Sequence, residues 1–413
     1  MNMNKTETYL DIFLDKSYIP FVCLYLNWNV IKGILTNCFI FFNIDETIKE
    51  IISGRLYFIV FICFLLYFIK NYKKYLKSAK LCITIIICYM LFQYSVSVNN
   101  IDNETIKDLF QVLSLNFILI VLLLYGIKDI NAFIEYLRPY CFIAVFYALS
   151  ELLKYSVTKQ YDMTFSYTLL IPMLICLIFA IYESKHFYLV IFLFLEIINL
   201  ICGSRGSILC HLICFLLCMF FYSNKTRFIK WIFSFTLILF IVLCFSPLIT
   251  NYLQSHFNNS RTVNLIISGE FVSHSSGRDE IYAKAWNYFL DNPIRFSGFY
   301  SDRLLLNQNH NKGFPYGSYA HNFILEILLQ FGIFAIPFII YFFYNTCRVI
   351  KILKKDMDWA NKAFFIISFS FFLGQLSVSS SYLISPAFGL FVGFLFRYTR
   401  QRNEINKIQR ELV

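Results

Sequence analysis

Long apolar runs broken by short polar clusters dominate the chain. They cover residues 20–42, 56–69, 81–98, 109–125, 137–153, 165–182, 187–202, 206–222, 229–250, 319–345, 363–378 and 381–396. A helix crosses the hydrocarbon core of a bilayer in about 20 residues, and in lipid it satisfies its own backbone hydrogen bonds. The pattern therefore predicts an all-α polytopic membrane protein of about twelve transmembrane helices. The first run is the most interrupted, by Asn27, Asn29, Lys32 and Asn37. One long polar stretch, residues 251–318, stands apart from the alternation. Within it Ser276, with Asp279 three residues on, reads as the cap of a helix. Ile281, Ala285 and Tyr288 follow at helical spacing, and Asp291-Asn292-Pro293 ends the element. Such an amphipathic helix suits a membrane surface or the roof of a cavity.

Composition agrees with the pattern. The 413 residues are 58% hydrophobic and 20% aromatic, with 15% charged. A soluble domain carries about 25% charged residues, so soluble enzymes, disordered chains and nucleic-acid-binding proteins are excluded. The net charge of +11 is concentrated in particular connections. Lys70, Lys73, Lys74, Lys77 and Lys80 form one group; Lys225, Arg227 and Lys230 a second. Arg348, Lys351, Lys354, Lys355 and Lys362 form a third, and the tail carries Arg397, Arg400, Arg402, Lys407 and Arg410. Basic loops stay in the cytoplasm, which puts loop 251–318 outside the plasma membrane and, if the first run spans, both termini inside. The first residues lack the pattern of a cleavable signal peptide, so the chain is expected to insert through its own helices. The 13 cysteines fall almost entirely in apolar runs, where Cys acts as a small hydrophobe, and none lies in loop 251–318. Cys210, Cys214 and Cys218 share a helix face beside His211, and we expect packing there rather than a metal. Asp356-Met357-Asp358 matches a metal-binding D-x-D pattern, but it lies in a Lys-rich loop on the cytoplasmic side and reads as a solvated connection. Asp45-Glu46 has nothing else to support it as a ligand pair. No metal and no cofactor are expected.

Three places carry candidate chemistry. The first is Gly203-Ser204-Arg205-Gly206-Ser207, between two apolar runs. Flanking glycines let a phosphate or glycan approach the backbone, and an Arg fork binds phosphate; the plain alternative is a tight turn with an interfacial Arg. The second is Ser275-Ser276-Gly277-Arg278-Asp279, with Trp286, Asn292-Pro293 and Gly298 downstream. A cation in the first turn of a helix opposes its dipole and calls for a nearby anion; an ion pair with Asp279 is the plain alternative. The third is Tyr319-Ala320-His321-Asn322, then Leu325-Glu326 and Gly332, where the chain returns to the membrane. Desolvation keeps a His at that boundary neutral and able to accept a proton, although a lone interfacial His is often structural. Asn322 and Glu326, four apart, share a helix face, where Glu326 alternatively satisfies a polar neighbour in the bundle. Two arginines and a neutral His on the outer face suit displacement of a pyrophosphate by an alcohol, without a nucleotide.

Read in order, these pieces resemble the shared domain of bacterial O-antigen polymerases and O-antigen ligases. The resemblance covers about residues 200–345, in the order Gly203–Gly206, Ser276–Arg278, Trp286, Asn292-Pro293, Gly298, Ala320–Asn322, Leu325-Glu326 and Gly332. Phe296 departs from it, standing where the family often has the first glycine of a G-x-G pair; this is expected to alter the loop rather than the chemistry. The resemblance divides the chain into N-terminal helices 1–199, a core 200–345 and C-terminal helices with a basic tail 346–413. It implies a metal-independent, inverting glycosyltransferase of GT-C-like architecture in the bacterial inner membrane. Its donor would be an oligosaccharide on undecaprenyl pyrophosphate. Arg205 and Arg278 would bind the pyrophosphate, and His321 would be the general base on the acceptor hydroxyl. Ser204, Gly206, Ser276, Gly277, Asn322 and Glu326 would line the substrate. The leading reading is a polymerase of O-antigen or another surface polysaccharide; the alternative is a ligase that transfers the glycan to lipid A core. A chain-length regulator is a candidate partner, besides membrane lipid; nucleic acid is not. A lipid-linked oligosaccharide flippase fits less well, because the polar residues gather in one late loop and no matching half is visible.

Overall fold

A computed structural model of the chain describes residues 9–42, 62, 65–99, 103–158, 162–204, 206–222, 260–269, 278–307 and 319–411. Among these, every regular element is helical and there is no strand. The runs 56–69, for its greater part, and 229–250 lie outside the described residues, as do Arg205, Ser276 and Gly277. Four helical stretches are long and apolar enough to cross a membrane: Ala79–Val98, Leu109–Gly126, Ile130–Thr158 and Phe323–Lys355. The segments Lys16–Leu26 and Trp28–Phe41 make a fifth if taken together, bent by 58° at Asn27. The protein is thus an all-helical polytopic membrane protein with four or five clearly apolar spans among the described residues.

The chain forms two compact units, one from Met1–Lys70 and Ile127–His274, the other from Asn71–Gly126 and Ser275–Val413. In the first, the Leu170–Tyr182 helix is the core: every residue from Leu170 to Ile181 is buried. It packs against the Pro139–Thr158, His186–Cys202 and Gly206–Tyr222 helices. That all-round burial explains why its sequence is apolar on every side instead of on one stripe. The Trp28–Phe41 helix lies along Pro139–Thr158, where Asn37 donates to Glu151 at 2.8 Å and Glu151 pairs with Lys154, also at 2.8 Å. Arg138 stands between two helices of the unit, with its guanidinium 4.1 Å from the Phe179 ring centre and bonded to Glu135 and Glu183.

The second unit is built on aromatic packing. Phe323, Phe342, Phe372, Phe388 and Phe391 interlock, with neighbouring ring centres 5.1–6.1 Å apart. These rings come from the Phe323–Phe331, Ala335–Lys355, Trp359–Val378 and Pro386–Glu411 helices, so the aromatic richness of the sequence becomes a core here. The Asn103–Gly126 segment widens into a π-helix over Ser114–Leu119, and Asn116 there donates to the Ile384 carbonyl.

Loop 251–318 contributes helices to both units. Arg261–Ile267, capped by the Ser260 hydroxyl, belongs to the first. Arg278–Asp291 and Ser301–Asn307 belong to the second. The Arg278–Asp291 helix stops where the Asn292-Pro293 pair predicts. Its expected inner face is also the observed one: Ala285 is fully buried against Ala320 and Leu329, with Tyr288 packed beside it. Trp286, Leu290 and Ile294 are exposed on the other side. The D-x-D stretch is a helix connection: Asp358 caps Trp359–Val378 through the Ala360 N–H, and Asp356 accepts from the Asp358 N–H and the Tyr398 hydroxyl.

Candidate functional site

The candidate residues lie in two places, one in each unit. In the first unit the His186–Cys202 helix ends at Gly203 and the Gly206–Tyr222 helix begins three residues later. Neutral groups hold this turn. The Gly203 N–H donates to the Asn199 carbonyl at 2.8 Å, and the Gly203 carbonyl accepts from the Thr262 hydroxyl at 2.8 Å. The Ser204 N–H donates to the Ser166 hydroxyl. Ser207 donates to the Ser204 carbonyl at 2.9 Å and accepts from the Asn199 amide at 2.9 Å. A Cβ at Gly203 would overlap the Ser166 hydroxyl and stand 2.6 Å from the Asn199 side-chain oxygen, so only glycine fits. In this turn Ser204 is buried and Gly206 stands at the helix start; Arg205 between them is outside the described residues. His211, one turn further, has Nδ1 2.9 Å from Glu196 Oε2. Cys210, Cys214 and Cys218 are buried in the packing. Among the described residues no three His, Cys, Asp or Glu side chains gather as a metal site.

In the second unit the site is a corner where three segments meet. Phe323–Phe331 is the helix that leaves the corner, and Asn322 caps it: its side-chain oxygen accepts from the Ile324 and Leu325 N–H groups at 3.0 and 3.2 Å. The extended backbone of Asn322 and its short acceptor side chain are what that position requires. His321, just before it, has φ +50°, in the left-handed region that non-glycine residues rarely enter. Its Nδ1 lies 3.4 Å from the Ser379 carbonyl oxygen. A carbonyl only accepts, so a hydrogen bond there requires the proton on Nδ1 and leaves Nε2 as the basic nitrogen. Tyr282, in the second turn of the Arg278–Asp291 helix, donates to the His321 carbonyl at 3.4 Å. Arg278 opens that helix and, among the described residues, forms no ion pair with Asp279.

The electrostatics follow from this packing. Burial first, and then the positive charge of Arg278, lower His321 from 6.5 to about 4, against the hydrogen bond to Ser379. The imidazole is therefore neutral at physiological pH, with an unprotonated nitrogen beside a cation.

Behind it lies a network that the sequence did not disclose. Arg303 is only 2% exposed. It donates to Asp302 at 3.2 Å, to Glu326 at 3.5 Å and to the Ser381 hydroxyl at 2.9 Å. Glu326 also accepts from the Ser381 hydroxyl and the Tyr382 N–H, and Gln330 donates to Asp302 at 2.7 Å. Burial pushes Asp302 above the usual carboxylate range, against the pull of Arg303 and Gln330. Glu326 thus serves a buried neighbour within the bundle. The readable signal was its spacing: Asn322, Glu326 and Gln330 stand four apart on an otherwise apolar helix, and each had to find a polar partner.

The motif glycines and the Asn-Pro pair join the loop to the helix. Gly332, φ +55°, ends the Phe323–Phe331 helix, and a Cβ there would stand 2.5 Å from the Pro293 carbonyl and 2.6 Å from that of Arg295. The Ser297 and Gly298 N–H groups both donate to the Gln330 carbonyl, and Ile333 donates to Pro293. Phe296 turns its ring among Tyr94, Phe331 and Phe334, so the larger residue is absorbed by aromatic packing.

No curated protein and no solved structure matches the chain. Residues 187–340 match the family model described as O-antigen ligase. That segment contains the Gly203–Ser207 turn, the loop helices and the His321 corner, and it is this part of the chain that is similar to the O-antigen ligase family.

Proposed function

We propose that the protein is a polymerase of O-antigen or a related surface polysaccharide, acting at the outer face of the inner membrane. The observation that carries the reading is the neutral His321, its Nδ1 turned to the Ser379 carbonyl and the Arg278 helix packed against it. The acceptor is a hydroxyl on the sugar of a lipid-linked repeat unit. Its oxygen forms the new bond to the anomeric carbon of the donor glycan, while the bond from that carbon to undecaprenyl pyrophosphate breaks. His321 Nε2 takes the hydroxyl proton. Attack opposite the leaving group inverts the anomeric centre. Arg278 and Arg205 meet the charge that grows on the pyrophosphate, so the chemistry asks for no metal; loss of one such contact costs about 10²–10³ in rate. The Ser204, Gly206, Ser276, Gly277 and Asn322 positions belong on this reading to the substrate surface, Asn322 through the helix end it caps. About twelve spans in a GT-C-like arrangement, with loop 251–318 outside, complete the reading.

A ligase is the second reading, favoured by the description of the family model itself. It uses the same donor and the same groups, with lipid A core as acceptor. Deleting the gene in its parent strain and sizing both the surface glycan and its lipid-linked precursors separates the two. A ladder that collapses to one attached repeat supports the polymerase. Polymer stranded on undecaprenyl pyrophosphate identifies a ligase. Full complementation by Arg205→Ala, Arg278→Ala and His321→Ala would overturn the site.

A further inference from the structure

His321 does not stand alone in its corner: three flat groups are stacked there in succession. The Arg303 guanidinium lies 4.1 Å from the Tyr300 ring centre and 5.2 Å from that of Tyr319. The Tyr319 ring in turn lies 4.0 Å from the His321 ring, tilted by 40°. Tyr319 also donates its hydroxyl to the Ser379 carbonyl, at 3.1 Å, the same oxygen that His321 Nδ1 faces. One carbonyl therefore fixes both rings. Arg303 contributes its face as well as its charge. Its Nη atoms reach Asp302, Glu326 and Ser381, while Nε has no hydrogen-bond partner among the described residues. A buried guanidinium chosen only for ion pairing would be expected to use that donor too. The planar face over two rings is what a lysine could not supply.

We infer that Arg303 and Tyr319 are positioning residues for the reaction, a stack that fixes the plane of the His321 imidazole while the Ser379 carbonyl sets its tautomer. The inference rests on His321 being the general base proposed above. Asp302, Glu326 and Ser381 hold the guanidinium, the guanidinium backs Tyr319, and Tyr319 backs the imidazole. A displacement of about 1 Å at the reacting nitrogen costs about 10²-fold in rate. The stack therefore acts on turnover, and substrate affinity is left to the groups that touch substrate.

The test uses full-length protein in washed membranes of the deletion strain, with lipid-linked repeat units extracted from that strain as the probe. Arg303→Lys keeps the charge and removes the planar face. Tyr319→Leu removes the ring, and Tyr319→Phe keeps the ring and removes the hydroxyl. Rates are divided by the amount of each variant that survives detergent extraction in folded form. We expect Arg303→Lys and Tyr319→Leu to lose about 10²-fold in kcat with KM within twofold, and Tyr319→Phe to recover most of that loss. The pH profile adds a readout that a merely structural role would not move. The groups that face His321 are Arg278 and Tyr282 from the loop helix, Arg303 from Ser301–Asn307 and Tyr319 from its own segment, with the Ser379 carbonyl opposite, while Asp302 and Glu326 hold Arg303. Arg303→Lys leaves all these charges in place, so an acid limb moved to higher pH reports a loosened, rewetted imidazole. Wild-type kcat and an unmoved acid limb in Arg303→Lys, with His321→Ala inactive, would overturn the inference. Activity in His321→Ala would overturn the reading beneath it. Where Tyr319→Leu does not accumulate, Arg303→Lys decides.

Discussion

The Gly203–Ser207 turn and the His321 corner, both within the family segment, are scaffolded by opposite means. The turn is held by hydroxyls, an amide and backbone groups: Ser166, Asn199, Ser207 and Thr262, none of them charged. The corner is held by a buried arginine, two acids and a stack of rings. Neutral hydrogen bonds contribute about 0.5–1.5 kcal/mol each and fail one at a time. A buried ionic network fails together, since each partner removed strands a charge away from water. The turn should therefore respond to mutation in small steps, and the corner in large ones.

The strongest test of that contrast is Arg303→Met, which leaves Asp302 and Glu326 without their cation. A cost of about 3–5 kcal/mol is expected, read as lost thermal stability in detergent or lost protein in the membrane. Stability equal to wild type would remove the distinction. Gly332→Ala comes next. The left-handed backbone and the approach of the Pro293 carbonyl should together cost about 2–3 kcal/mol, and the loop from 293 to 298 should become sensitive to protease. Gly203→Ala should cost about 1–3 kcal/mol, because Ser166 and Asn199 must give way. Thr262→Val removes a single donor from the Gly203 carbonyl and should cost only about 1 kcal/mol. A loss from Thr262→Val as large as that from Arg303→Met would reverse the order.

Acidity tests the corner in another way, through His321. The base must be neutral, and at about 4 it stays neutral through the mildly acidic range. Turnover should hold from neutral pH to near 5 and halve close to 4, measured as initial rate in membranes. The matching stability term has the same sign. The unfolded chain takes up the proton first, near 6.5, so the folded state has this term in full above that value and loses it as pH falls toward 4. A rate that already halves near 6.5 would mean an ordinary, solvated imidazole.

Much of the architecture was legible because it depends on local pattern. The 206–222 run became the Gly206–Tyr222 helix, and Asp291-Asn292-Pro293 ended the loop helix as its turn chemistry dictates. The break at Asn27 falls among the polar interruptions that weakened the first run. Which helices pack together was not legible, because apolar runs of similar length carry no address. Nothing in 71–126 marks it as a partner of 275–413. Arg303 was missed for a related reason: Ser301-Asp302-Arg303 in a polar loop reads as solvated charge, and only the fold brings Glu326, Gln330 and Ser381 to it. The resemblance pointed to His321, while Arg303 and Tyr319, which stack behind it, lie outside the motif pieces that carry that resemblance.

The left-handed backbone at His321 also governs what can stand in for it. Asparagine bears φ +50° more easily than alanine does, and a β-branched residue least of all. His321→Asn therefore removes the imidazole with the fold undisturbed, where His321→Val would remove both. On the proposed mechanism such a chain still recruits its lipid-borne donor and never releases it as product. Produced beside the intact enzyme, it would be a decoy rather than an absence, and the cell would register it as an inhibitor.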